Sequence, residues 1–156
     1  LLYGAGDAKL GSVVGGNKRD GKKLRERFFS NLPSFVTLRN RITREASSRG
    51  FVKGLDGRKI WIRSEHAALN SLLQSAGSIV MKKALVLFDE GIQRTYWKTQ
   101  FVANVHDEWQ LEVRSDQAIK VGGLGVECIR RAGIAYELKC PLTGEYRIGD
   151  NWYETH

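Results

Sequence analysis

The sequence predicts an α+β fold, mainly helical with small antiparallel sheets, on three observations. Apolar residues recur at helical spacing over residues 33–50 and again over 66–88. Two runs of alternating apolar and polar residues, 101–105 and 109–113, flank a short polar segment, as the arms of a hairpin do. A second, smaller hairpin is signalled by Asp56-Gly57, a dipeptide suited to tight turns that need positive φ. With 156 residues, 42% of them hydrophobic and four of them tryptophan, the chain has material for one respectable core, and a single domain is the default expectation.

Taken in order, Leu1–Gly6 reads as the end of an element whose beginning is missing, because Leu-Leu-Tyr runs into Gly with no start signal and no initiator methionine; the chain is expected to be a piece of something longer. Asp7 is expected to cap a short helix to Val14, stopped by Gly15-Gly16. A basic helix follows over 18–29, with Leu24, Phe28 and Phe29 on its buried side. Pro33 opens the next helix, in which Phe35, Leu38, Ile42 and Ala46 face inward until Gly50. The ribbon 51–52/59–63 leads to a long helix from His66 to about Phe88 with an irregular first turn. Beyond the 101–113 hairpin, a helix over 116–132 is expected to cover the sheet through Ile119, Leu124, Val126 and Ile129, although Gly122, Gly123 and Gly125 weaken it. Strands near 137–140 and 145–148 and a docked Trp152 complete the reading.

The charge is unevenly placed. The chain carries a net +8, yet residues 1–65 hold 15 Lys and Arg against 6 Asp and Glu, and residues 66–156 hold 10 against 11. A basic amino-terminal part suits an anionic polymer, and equally suits an ordinary solvated face. No unbroken apolar run approaches the length of a membrane span, and a cytoplasmic protein without membrane contact is expected. Cys128 and Cys140 lack zinc-site spacing and read as free thiols. Phosphate-binding Gly-rich loops, dinucleotide fingerprints, Gly-x-Ser-x-Gly and His-Glu-x-x-His are all absent from the sequence.

Four groups of residues carry candidate chemistry. Val105-His106-Asp107-Glu108 puts carboxylates at a strand end, where one can hold a Mg²⁺ ion, or can simply make a turn. Asn70 and Gln74, four apart on a helix, share a face; side-chain amides there can donate to minor-groove acceptors without reading sequence, or can satisfy nearby backbone. Arg58 and Lys59 follow the hairpin turn, and His66 stands one helical turn before Asn70, so a phosphate has several possible donors. Tyr3 either packs or offers a base a stacking surface.

In combination and in this order, Leu2-Tyr3-Gly4, Gly54-Leu55-Asp56-Gly57-Arg58, His66-Ala67-Ala68-Leu69-Asn70, Leu73-Gln74-Ser75-Ala76-Gly77 and Val105-His106-Asp107-Glu108 closely resemble family A DNA polymerases, nearest to those of short-tailed bacteriophages. The resemblance implies a carboxy-terminal piece: partial helical fingers over 1–50 and palm over 51–156, the palm being a small antiparallel sheet packed by helices. It implies that Asp107 is one of two metal-binding aspartates and Glu108 its acidic neighbour, and that His106 lies beside the primer terminus. Asn70 and Gln74 are implied as minor-groove contacts, with His66 and Arg58 also toward DNA, and Tyr3 as the tyrosine near the templating base. His66 departs from the arginine of many bacterial relatives. Mg²⁺, primer–template DNA and deoxynucleoside triphosphates are the implied cofactor and partners. The second aspartate and the triphosphate-binding residues lie upstream in the family, so the chain is expected to be inactive by itself and to need a fragment that supplies them. The competing expectations are a DNA-binding module without catalysis and, less well matched, a metal-dependent nuclease using Asp107 and Glu108.

Overall fold

A computed structural model describes residues 5–155. The chain divides into two compact units between Ala76 and Gly77.

The first unit opens with α1 (Asp7–Val13) and α2 (Lys18–Asn31). Asp7 does not cap α1, as its position had suggested: Gly6 holds the cap position without a side-chain bond, and Asp7 Oδ2 instead accepts from Arg25 Nη2 at 3.1 Å. The two helices approach through glycine. A Cβ on Gly21 would overlap the carbonyl oxygen of Asp7, and one on Gly11 the carbonyl oxygen of Asn17. Asn17 caps α2 reciprocally: its side chain accepts from the amides of Arg19 and Asp20, and the Asp20 carboxylate accepts from the Asn17 amide. Gly21 is the buried residue of α2, whereas Leu24 is exposed, contrary to its expected inward position. Close backbone approach brings the glycine inward in place of the leucine.

Helix α3 (Pro33–Arg49) ends at Gly50, whose φ of 73° stops the helix and whose amide donates to the Ala46 carbonyl at 2.8 Å. Strands β1 (Phe51–Lys53) and β2 (Lys59–Trp61) pair antiparallel with Lys53 opposite Lys59. The connection is five residues long, not a two-residue turn, and Gly57 alone in it takes positive φ, at 82°. Ile42 and Ala46 of α3, Val52 of β1 and Ala68 and Leu69 at the next helix form the core of this unit, with Phe35, Ile60, Ile62 and Leu72 around them.

After a single 3₁₀ turn at Glu65–Ala67, α4 runs from Ala68 to Thr95, so the irregular first turn is present and the helix goes seven residues past Phe88. By length and composition Glu65–Thr95 would also suffice to cross a membrane, which a search for unbroken apolar runs misses. Its apolar residues have other employment: Ala68 and Leu69 belong to the first core and Phe88 to the second.

In the second unit, β3 (Thr99–Val105) and β4 (Glu108–Val113) form an antiparallel pair, irregular between Phe101 and Ala103. Phe88 is fully buried, with the rings of Trp109 and Phe101 at 5.5 and 5.7 Å, and its burial alone is worth roughly 2–3 kcal/mol. Helix α5 (Ala118–Ala135) forms despite its glycines. Its buried residues are Val121, Cys128, Ala132 and Gly133, while Ile119, expected inward, is 70% exposed. Neither expected strand forms between α5 and the short α6 (Trp152–Thr155). That segment packs as side chains against helix backbone: the ring of Tyr146 occupies the place of a Cβ at Gly122, and Leu142 crowds Gly133 at 3.0 Å. Glycines that weaken α5 in isolation thus admit the layer that covers it. The helix ends in a Schellman arrangement, with Glu137 at φ 52° and the Leu138 amide donating to the Gly133 carbonyl at 3.0 Å.

Candidate active site

The carboxylate-bearing turn is built by register. Val105 pairs with Glu108, leaving His106 and Asp107 as the two residues that reverse the chain. His106 takes φ 55°, the left-handed region, which is uncommon outside glycine though less so for asparagine, aspartate and histidine, and which costs about 1–2 kcal/mol. Asp107 is exposed, and no hydrogen bond or ion pair engages its carboxylate among the described residues. Glu108 is half-buried on β4 and accepts from Gln110 Nε2. Residues two apart on a strand share a face, which is how Gln110 reaches it. Thr155 Oγ1 of α6 lies 3.4 Å from Gln110 Oε1, so the chain terminus leans on the residue that holds Glu108. Gln110 and Thr155 were not singled out in the sequence; the i, i+2 spacing of Glu108 and Gln110 was the available signal.

Asp107 fits a role as one ligand of a hard divalent cation, since both its oxygens are available. Among the described residues no three His, Cys, Asp or Glu side chains gather into a metal site.

The amide pair lies in the first unit. Asn70 and Gln74 occupy successive turns of one α4 face. Gln74 is exposed, and Asn70 is half-buried with its Oδ1 shut from solvent and unpartnered. Among the described residues no hydrogen bond supports the reading in which these amides satisfy nearby backbone. His66 is exposed within the 3₁₀ turn.

Arg58 is exposed but committed. Its Nε and Nη2 lie 2.6 and 2.5 Å from Asp56 Oδ2, and that guanidinium holds the Asp56 carboxyl below its usual range. Lys59 Nζ sits 4.9 Å from the centre of the Phe51 ring. A phosphate at this turn would therefore compete with Asp56 for Arg58. Tyr3 lies outside the described residues.

Residues 1–154 match the model of DNA polymerase family A. The chain is 39% identical over 161 residues to the DNA-directed DNA polymerase of Escherichia phage Phieco32, covering 99% of this chain and 26% of that protein. It is 37% identical over 178 residues to the DNA-directed DNA polymerase of Escherichia phage T7, covering 100% of this chain and 25% of the relative. It spans about a quarter of these relatives' length. Among solved structures, the POL domain of Pol1 from M. smegmatis in complex with DNA primer-template and dNTP superposes with a TM-score of 0.73 at 21% identity, over 84% of this chain and 25% of that one. That likeness supports the α+β fold.

Proposed function

The chain belongs to DNA polymerase family A, and from that premise we propose that it is the carboxy-terminal fingers and palm part of a template-directed DNA polymerase. The observation that carries the reading is the β3–β4 turn: a strained His106 holds Asp107 clear of every described partner.

In this reading residues 1–50 are partial fingers and 51–156 are palm. Asp107 holds Mg²⁺, with a second aspartate contributed by an upstream polymerase fragment. The chemistry that bound Mg²⁺ supplies, as a pair of ions, is charge stabilisation at the attacking and leaving oxygens of phosphoryl transfer. Glu108, steadied by Gln110, adds negative charge beside Asp107. His106 flanks the primer 3′ end. Asn70 and Gln74 donate to the minor-groove acceptors that every base pair presents, which suits an enzyme that must accept any sequence. His66 and Arg58 face DNA phosphates, Arg58 by exchange from Asp56, and Tyr3 stacks near the templating base. The substrates are primer–template DNA and deoxynucleoside triphosphates, and the cytoplasm, that of the host cell if the chain is phage-encoded, is the site of action.

Primer extension tests the proposal. With Mg²⁺ and nucleotides, the chain alone is expected to be silent; adding the upstream fragment should restore extension, and Asp107→Ala should remove it. Extension by the chain alone would overturn the need for a second aspartate. No extension with the fragment present, or extension indifferent to Asp107→Ala, would overturn the polymerase reading.

A further inference from the structure

We propose that Asp56-Gly57 is a site of spontaneous covalent modification, at which Asp56 closes to a succinimide and reopens as isoaspartate, and that Arg58 sets how fast it does so. The inference goes beyond the polymerase reading and stands without it.

Two aspartates of the chain precede glycine, Asp20 and Asp56. Glycine in that place makes ring closure practicable, because no side chain crowds the attacking amide and its backbone turns easily. The Gly57 nitrogen attacks Asp56 Cγ, a Cγ–O bond breaks, and that oxygen departs as water with the carboxyl proton and the amide proton. Water then adds to one of the two ring carbonyls. Opening on one side restores aspartate; opening on the other leaves the main chain running through Cγ, as isoaspartate. One water is released and one is taken up, so no oxidant or further reactant is needed.

The fold treats the two aspartates differently. Asp20 lies in the first turn of α2, its neighbour Gly21 is buried, and the Gly21 amide donates to the Asn17 carbonyl at 3.1 Å. The Gly21 backbone is pressed so closely on the Asp7 carbonyl oxygen that a Cβ there would overlap it. Closing a ring at Asp20 therefore means unwinding the start of α2 and parting it from α1. Asp56, Gly57 and Arg58 are all exposed, and among the described residues beyond its chain neighbours no atom comes within 4 Å of where a Cβ on Gly57 would stand. The turn has room both to close the ring and to admit the water that opens it.

What opposes the reaction at this turn is Arg58. Its backbone amide donates to Asp56 Oδ1 at 3.2 Å, and its Nε and Nη2 lie 2.6 and 2.5 Å from Oδ2. These bonds draw the carboxyl toward residue 58 and favour its ionised form, which must gain a proton before an oxygen can leave as water. A second brake is the Gly57 amide, which donates to the Gly54 carbonyl at 3.0 Å. Isoaspartate inserts one carbon into the main chain between β1 and β2 and moves the carboxylate onto Cα, so the seat of Arg58 is lost with it.

The test is to age the full chain at physiological temperature and neutral pH and to follow isoaspartate at each position. Proteolytic peptides are resolved by mass spectrometry, and isoaspartate is scored by methyl transfer from an isoaspartyl carboxyl methyltransferase. Isoaspartate should accumulate at Asp56 and not at Asp20 in the unaltered chain. Arg58→Gln should speed its appearance at Asp56 about threefold or more and leave Asp20 unchanged. Lys59→Gln, which alters the neighbouring cation and no bond to Asp56, should leave both rates as they were. Hydrogen exchange at the Gly57 amide should stay as slow in Arg58→Gln as in the unaltered chain. The proposal is overturned if no isoaspartate forms at Asp56, if Asp20 keeps pace with it, or if Arg58→Gln does not accelerate it. It is equally overturned if Lys59→Gln accelerates as much, or if acceleration comes with loss of Gly57 amide protection, since loosening of the turn and not the guanidinium would then set the rate.

Discussion

The two hairpins solve the same problem in opposite ways. Both are two-stranded and antiparallel, and both reverse the chain through a residue at positive φ. Between β1 and β2 that residue is Gly57, and the aspartate before it is spent on Arg58. Between β3 and β4 it is His106, and the aspartate after it is unspent. In the first hairpin the sequence relaxes the backbone and satisfies the carboxylate. In the second it accepts strain and leaves the carboxylate to be used, which is the pattern expected where a turn serves a ligand more than the fold.

The sharpest way to test the contrast is to remove each aspartate. Asp107→Ala should reduce extension by the complemented polymerase at least about a thousandfold, the equivalent of about 4 kcal/mol of transition-state stabilisation, with little change in melting temperature. Asp56→Ala should do far less to extension. Next in size is the glycine: Gly57→Ala forces a Cβ into φ 82° and should destabilise the first unit by about 1–2 kcal/mol in denaturant titration. His106→Gly should act in the other direction, raising stability by about 0.5–1 kcal/mol as strain is relieved, while lowering extension. A loss of stability in His106→Gly would mean that the histidine packs and that the turn is not strained for function. The smallest effect is the Asp56 titration. Its folded pKa is depressed, chiefly by the hydrogen bond from Arg58, so the pair's contribution is present above the unfolded value and fades as pH falls through the folded one. By NMR the Asp56 carboxyl should titrate below 3.8, and Arg58→Gln should return it toward 3.8.

Local signals made much of this legible. Pro33 and Gly50 bracket α3, and the 66–88 periodicity marks most of α4, because helix ends and amphipathic faces are written in neighbouring residues. What escaped was set by distant partners. Ile119 faces out and Cys128 in because the α5 register answers to Phe88 and to the tail, neither of which is adjacent in sequence. The strands expected near 137–140 and 145–148 yield to packing of Leu142 and Tyr146 onto helix glycines, a tertiary event with no two-residue period. At the candidate site, His106, Asp107, Asn70 and Gln74 were found through their family wording; His106, Asp107 and Gln74 are exposed and Asn70 is half-buried, whereas the Glu108–Gln110 bond is a matter of strand facing. The cations of α2 were counted in the sequence as total charge; only pairing distances separate those that are neutralised from those that are not.

The close approach of α1 and α2 has a genetic corollary. Because a Cβ at either Gly11 or Gly21 would stand where a backbone carbonyl oxygen already lies, their codons can vary freely at the third base and at neither of the others. Every missense change there introduces the missing carbon, so in a population of variants these two sites should register as silent substitutions or as lost protein, with no graded series between.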